Sequence, residues 1–188
     1  MYCIAQTDGR YEDGLEGLPM THSKSGMLDK IEQKAKWAEF TYHGCGRSAL
    51  YGLKQYFNFI PDELIIASTA LAGGCGASGG SCAAYCAGLL AIALKFDPWI
   101  EDTSSTGQTK HDLARKLEYE FRDWFLEEFS TTMCTSIQER VIGRSWNLMD
   151  PEQYAEFLSL PSNHEKCGGV VGKSARMAAV IMLKNSPL

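Results

Sequence analysis

The chain has 188 residues, 45% hydrophobic and 22% charged, which is the composition of one compact domain with a sizeable core rather than of a disordered chain. Its 18 basic and 23 acidic side chains sum to −5, so the dense cationic face that a nucleic-acid binder needs is not expected. The longest apolar stretch, Ala83 to Leu94, falls short of the roughly 20 residues of a bilayer span, so no membrane insertion is expected. The opening MYCIAQTDGRYEDG has neither the basic nor the apolar region of a secretory leader, and the expected location is cytoplasmic.

Residues 1–26 are rich in Gly, Asp, Glu and Ser without a sustained period and read as an N-terminal extension; residues 27–188 read as a helical domain. From Met27, a repeat of Leu28, Ile31, Ala35, Ala38 and Tyr42 predicts a helix with Lys30, Lys34, Lys36 and Glu39 on its other faces, ended by Gly44 and Gly46. A second helix starts near Cys45 and carries Ala49, Leu50, Leu53, Tyr56 and Phe57. A third opens at Pro61, with Asp62 and Glu63 at its positive end, and runs out in Gly73 and Gly74. The segment GGCGASGGSCAAYCAGLLAIALKF then delivers Cys82 through a glycine-rich turn to a nearly all-apolar helix, expected to be central and buried on most sides.

After the polar loop EDTSSTGQTK, a long amphipathic helix from about His111 to Phe129 carries Leu113, Leu117, Phe121, Trp124, Phe125 and Phe129, a series most simply read as core packing. Cys134 opens a short helix ending near Gly143, Asp150 and Pro151 cap and start another, and a last helix is expected from about Cys167, with Lys173 and Arg176 on it. Seven or eight helices without a strand pattern define an all-α bundle.

The seven cysteines are Cys3, Cys45, Cys75, Cys82, Cys86, Cys134 and Cys167, and no two are spaced C-x-x-C. Thioredoxin-type pairs, zinc ribbons and haem attachment motifs therefore have no local signature, and whatever the thiols do together they do through the fold. Cys45, Cys82, Cys134 and Cys167 all fall at expected helix N-termini, where free N–H groups and the helix dipole lower a thiol's pKa and stabilise anions. Converging, they would make a tetrathiolate for an iron–sulfur cluster or a zinc ion. Cys82 and Cys86, four apart on one helix, can face one site, and Cys75 sits in a turn able to join them. Cys86 fits core filling equally well, and Cys3 reads as a bystander. His43 and His164, shortly before Cys45 and Cys167, are candidates for an imidazole ligand or a proton, although solvated loop histidines are commoner. GGCGASGG lacks the lysine and hydroxyl ending of a phosphate loop and reads as a tight turn.

Cys45 opening a helix, the glycine-rich turn into C-A-A-Y-C-A, an aromatic helix before Cys134, and KCGGVVGKSARMA from Cys167 together resemble the redox-active C_GCAxxG_C_C family of four dispersed cysteines, over about Trp37 to Leu183. This chain has Ala83 and Ala87 where the family pattern is expected to place glycines, and it adds Cys75 and Cys86. The iron–sulfur part of split-Soret cytochromes is more distantly similar, and that likeness implies a cysteine-bound cluster. The leading expectation is thus an electron-transfer or redox-sensing module with an iron–sulfur cluster on Cys45, Cys82, Cys134 and Cys167, serving a redox partner protein, with homodimerisation left open. A metal-free thiol–disulfide protein and a zinc or copper binding module are the alternatives. No acid–base pair marks a hydrolase or dehydrogenase.

Overall fold

The structure is a computed structural model that describes residues 22–186. Its helices are α1 (His22–Tyr42), α2 (Cys45–Lys54), α3 (Asp62–Ala67), α4 (Ala83–Phe96), α5 (Ser105–Phe129), α6 (Cys134–Ile142), α7 (Pro151–Ser159) and α8 (Pro161–Lys184), with a 3-10 turn at Ser68–Leu71 after α3. The fold is all-α, and the extended backbone among the described residues is limited to one isolated antiparallel bridge between Ser81 and Met133. No helix among the described residues is long and apolar enough to cross a membrane.

Helix α8 packs along α1, α2 and α4, while α2 sits between α1 and α4, and α5 covers α4 from the far side. The apolar repeat of α1 turns inward as its spacing requires: Leu28, Ile31, Ala35 and Ala38 are buried, whereas Tyr42, at the exit of the helix, is exposed. Ala49, Leu50 and Leu53 of α2 and Phe57 just beyond it are buried; Tyr56, past the end of the helix, turns out. On α5, Leu117, Phe121, Trp124, Phe125 and Phe129 are buried and stack in sequence, with Phe125 and Phe129 ring centroids 4.7 Å apart, so the aromatic series is core. Leu113 lies outside that stripe and is exposed. Phe121 crosses α4 at Gly88, where an added Cβ would sit 2.2 Å from its ring. Lys173 pairs with Glu128, and Arg176 pairs with Asp29.

Three helix starts differ from the sequence expectation, each for the same reason. Helix α1 begins at His22 rather than Met27, α5 at Ser105 rather than His111, and α8 at Pro161 rather than Cys167. The added turns are rich in polar residues, so no apolar period marks them. Ser104 caps α5 by accepting from the Gly107 N–H at 3.0 Å. The start of α8 is fastened to the end of α7 by Asn163, whose Nδ2 donates to the Phe157 carbonyl at 3.0 Å. Residues 22–26 are part of α1, while residues 1–21, with Cys3, lie outside the described residues. Pro61 is the cap before α3 rather than its first residue. The apolar helix α4 is buried on its inner side only, leaving Leu90 and Leu94 exposed.

Candidate functional site

The glycine-rich segment between the 3-10 turn and α4 folds through the left-handed region: Gly73, Gly74, Cys75, Gly76 and Ala77 all have φ between +62° and +81°. Glycine favours that conformation, and the turn closes on itself through bonds such as Gly79 N–H to Gly73 O at 2.9 Å and Gly80 N–H to Gly74 O at 3.0 Å. Its exit is tied to the start of α6. The Cys134 N–H donates to Gly80 O at 2.7 Å, and the Cys82 N–H donates to Thr132 O at 2.6 Å. That two-bond bridge sets Cys82, the cap residue of α4, beside Cys134, the first residue of α6. Cys45 opens α2, and the following Gly46 lets α2 approach the 3-10 turn and α4: an added Cβ would lie 2.9 Å from the Ser68 carbonyl.

Cys167 completes the set from inside α8, two turns past its start, buried at 7% exposure. The expectation that it sits at a helix N-terminus is therefore corrected, because α8 begins at Pro161 and Cys167 is an interior residue. Three of the four cysteines keep the helix-start position. Cys45 packs against the small cluster that holds Cys167 and feels the charge of Cys167 and Cys82; Cys82 in turn feels Cys134 and Cys167, and Cys134 feels Cys167 and Cys75. Four residues separated by tens of positions in the chain thus share one neighbourhood.

The electrostatics of that neighbourhood reverse the lowered pKa expected from the helix ends. The Cys45 thiol is held well above its ordinary value, first by its contact with Cys167, then by burial and by the Glu39 carboxylate. Burial pushes Cys82 up to about 12, with the N–H groups of Tyr85 and Ala84 opposing only in part. Cys134 rises to about 11, again chiefly through burial. Desolvation and mutual repulsion outweigh helix dipoles of a few tenths to 1 kcal/mol or so. The Cys45, Cys82 and Cys134 thiols on their own are protonated.

Cys45, Cys134 and Cys167 line one cavity of about 360 Å³ together with Glu39, His43 and His164. Trp146 and Phe157 form a small apolar cluster with Cys167 that backs the site. Two other surface pockets, beside Trp37 and beside Trp99, contain no cysteine. Glu39 is 2% exposed; its Oε1 accepts from the Cys45 thiol at 3.6 Å and lies 3.8 Å from His164 Nδ1. Its Oε2 and both His164 ring nitrogens are buried without a hydrogen-bond partner. His164 is thus no solvated loop residue: it is 4% exposed in the first turns of α8 and stacks on the exposed His43 at a centroid separation of 3.8 Å. Gln138, buried on α6, donates to Cys134 Sγ at 3.5 Å and accepts from the Trp146 N–H at 3.0 Å.

Sequence reasoning passed over Glu39 and Gln138. A signal existed for Glu39, four residues after Ala35 and beside Ala38, on the edge of the buried stripe; nothing in the sequence marks Gln138. Cys75 and Cys86 are absent from the cavity wall. Cys75 is exposed on the turn and Cys86 half-buried on α4. Cys82 is not on that wall either, and Cys134 feels the charge of Cys75 as well as that of Cys167.

As the side chains stand, no three His, Cys, Asp or Glu among the described residues are arranged to hold a metal ion. The donor chemistry nevertheless suits one: the soft thiols of Cys45, Cys134 and Cys167 on one cavity wall, the buried Cys82 tied beside Cys134, three helix N-termini to offset thiolate charge, and unpartnered buried polar atoms on Glu39 and His164.

Such a site on an all-α scaffold defines a redox-active cysteine protein. Residues 43–181 match the family model described as "Putative redox-active protein (C_GCAxxG_C_C)", and the chain belongs to that family. The matched span holds all six described cysteines, Cys45, Cys75, Cys82, Cys86, Cys134 and Cys167. No curated protein and no solved structure matches the chain.

Proposed function

We propose that this redox-active protein binds an iron–sulfur cluster through Cys45, Cys82, Cys134 and Cys167 and serves in electron transfer to a partner protein or in redox sensing. The supporting observation is the gathering of these four thiols, from four different helices, into one neighbourhood. When bound, the cluster supplies reversible one-electron chemistry. The chain's own part is to present four sulfurs, to exclude water with Trp146 and Phe157, and to oppose the added negative charge with the starts of α2, α4 and α6. Ligation requires thiolates, and these buried thiols release their protons only against a bound cation, so loading and proton release are coupled. A reducing cytoplasm, in which such thiols stay free, is the compartment this reading calls for.

One contact favours a second reading. Cys45 and Cys167 line the same cavity, and Cys45 packs against the cluster that holds Cys167, the adjacency that a disulfide needs, so a metal-free dithiol protein remains the alternative. Anaerobic purification of the full chain separates the two. A brown protein with broad visible absorption, iron and acid-labile sulfide supports the cluster. A colourless, metal-free protein that gains a Cys45–Cys167 disulfide in air supports the alternative, and a colourless protein with stoichiometric zinc or copper identifies a metal-handling module.

A further inference from the structure

Gln138 is a buried amide on α6, one turn after Cys134 and on the wall of the cysteine cavity, and the function proposed above gives it no task. A buried amide is costly unless its ends are paired, so its partners carry information. Its Oε1 accepts from the Trp146 N–H at 3.0 Å, and its Nε2 donates to Cys134 Sγ at 3.5 Å. A backbone N–H can only donate, so the bond from Trp146 fixes which end of the amide carries the oxygen and turns the NH2 end to the sulfur. Trp146 is itself buried, packed with Phe157 and Cys167, so the clamp has a fixed base. A donor held in this way stabilises a sulfur more as that sulfur carries more negative charge. It already opposes the burial that pushes the Cys134 thiol up.

We propose that Gln138 is a positioning residue that sets the reduction potential of the four-cysteine site: clamped by Trp146, it directs a neutral N–H donor at the Cys134 sulfur and makes an added electron easier to hold. Hydrogen bonds to the sulfurs are among the levers that place a cluster's potential, and a donor that strengthens on reduction raises it. The inference rests on the cluster reading above, whereas the donor's effect on the Cys134 sulfur needs no metal. The competing task, tying residues 145–147 to the helices, has a comparison within the same segment. Gln153 Oε1 accepts from the Asn147 N–H at 2.9 Å, a tie of the same kind one residue further along, and Gln153 is not on the cavity wall.

The test compares Gln138→Met and Gln153→Met with the unaltered full-length protein, with Gln138→Leu as a second form of the first change and helical circular dichroism as the check on folding. Each variant loses one tie to the segment, and only those at Gln138 lose the donor to sulfur. After anaerobic reconstitution, iron and acid-labile sulfide should stay at the unaltered level in all of them. The midpoint potential should move to more negative values in Gln138→Met and Gln138→Leu and stay in place in Gln153→Met. In the reduced, metal-free chain, iodoacetamide labelling of Cys134, read by peptide mapping, should slow several-fold in the Gln138 variants alone. A potential that stays in place or rises in the Gln138 variants, an equal shift in Gln153→Met, or loss of iron from the folded Gln138 variants would overturn the proposal. An unaltered protein that takes up no iron or sulfide would overturn the cluster reading and the potential with it, and the labelling rates would then show separately whether the donor acts on Cys134.

Discussion

Glu39 places a carboxylate 3.6 Å from the Cys45 thiol in a setting almost closed to water, and it helps hold that thiol protonated. Glu39→Gln removes the charge while keeping the shape, so the Cys45 pKa should fall toward the ordinary thiol value. Iodoacetamide labelling of Cys45 in the reduced, metal-free chain is expected to quicken several-fold near neutral pH; an unchanged rate would mean that burial and Cys167 alone set its acidity. Cys82 and Cys86 keep their protons to about 12 and about 11, against an ordinary 9.0. The unfolded chain releases those protons near the ordinary value, so the folded chain binds more protons above it, and stability present below pH 9 is lost as pH rises through the folded values. Melting of the metal-free chain should fall between about pH 9 and 12, and less steeply for Cys82→Ala. The cysteines were legible in the sequence because four of them open or lie within identifiable helices. Glu39 was not, since a carboxylate at the edge of an apolar stripe reads as solvated until a second helix covers it.

At the scale of elements, close approach between helices sets where the thiols stand. An alanine Cβ at Gly88 would meet the Phe121 ring, which is itself fully buried, so Gly88→Ala should cost about 1–3 kcal/mol by overpacking the α4–α5 contact. Thermal or urea unfolding measures this; a neutral result would show that the ring has room to move. Helix α7 covers the cavity, and Asp150 caps it by accepting from the N–H groups of Glu152 and Gln153 at 3.0 Å each. Asp150→Ala should cost about 1 kcal/mol, a drop in melting temperature of about 2–4 °C for a domain of this size. The cap at Asp150 and the aromatic stripe of α5 were readable because each follows a local rule. The start of α8 was not, because PSNHEK has no apolar period and its helicity depends on Asn163 reaching α7.

For the molecule as a whole, the all-α architecture follows from helical periodicity repeated along the chain, whereas the convergence of Cys45, Cys82, Cys134 and Cys167 depends on contacts that no local pattern encodes. The bridge between Gly80 and Cys134, the approach at Gly46 and the packing of α8 on α1 and α2 bring them together. The shared cavity wall of Cys45, Cys134 and Cys167 was equally hidden, since the three stand on three separate helices. The most direct measurement compares iron and acid-labile sulfide per chain, after anaerobic reconstitution, in Cys82→Ser and in Cys86→Ser beside the unaltered protein, with helical circular dichroism as the check on folding. The account predicts that Cys82→Ser loses the cluster while Cys86→Ser keeps it at the unaltered level. A folded Cys82→Ser protein with its full iron and sulfide would contradict it.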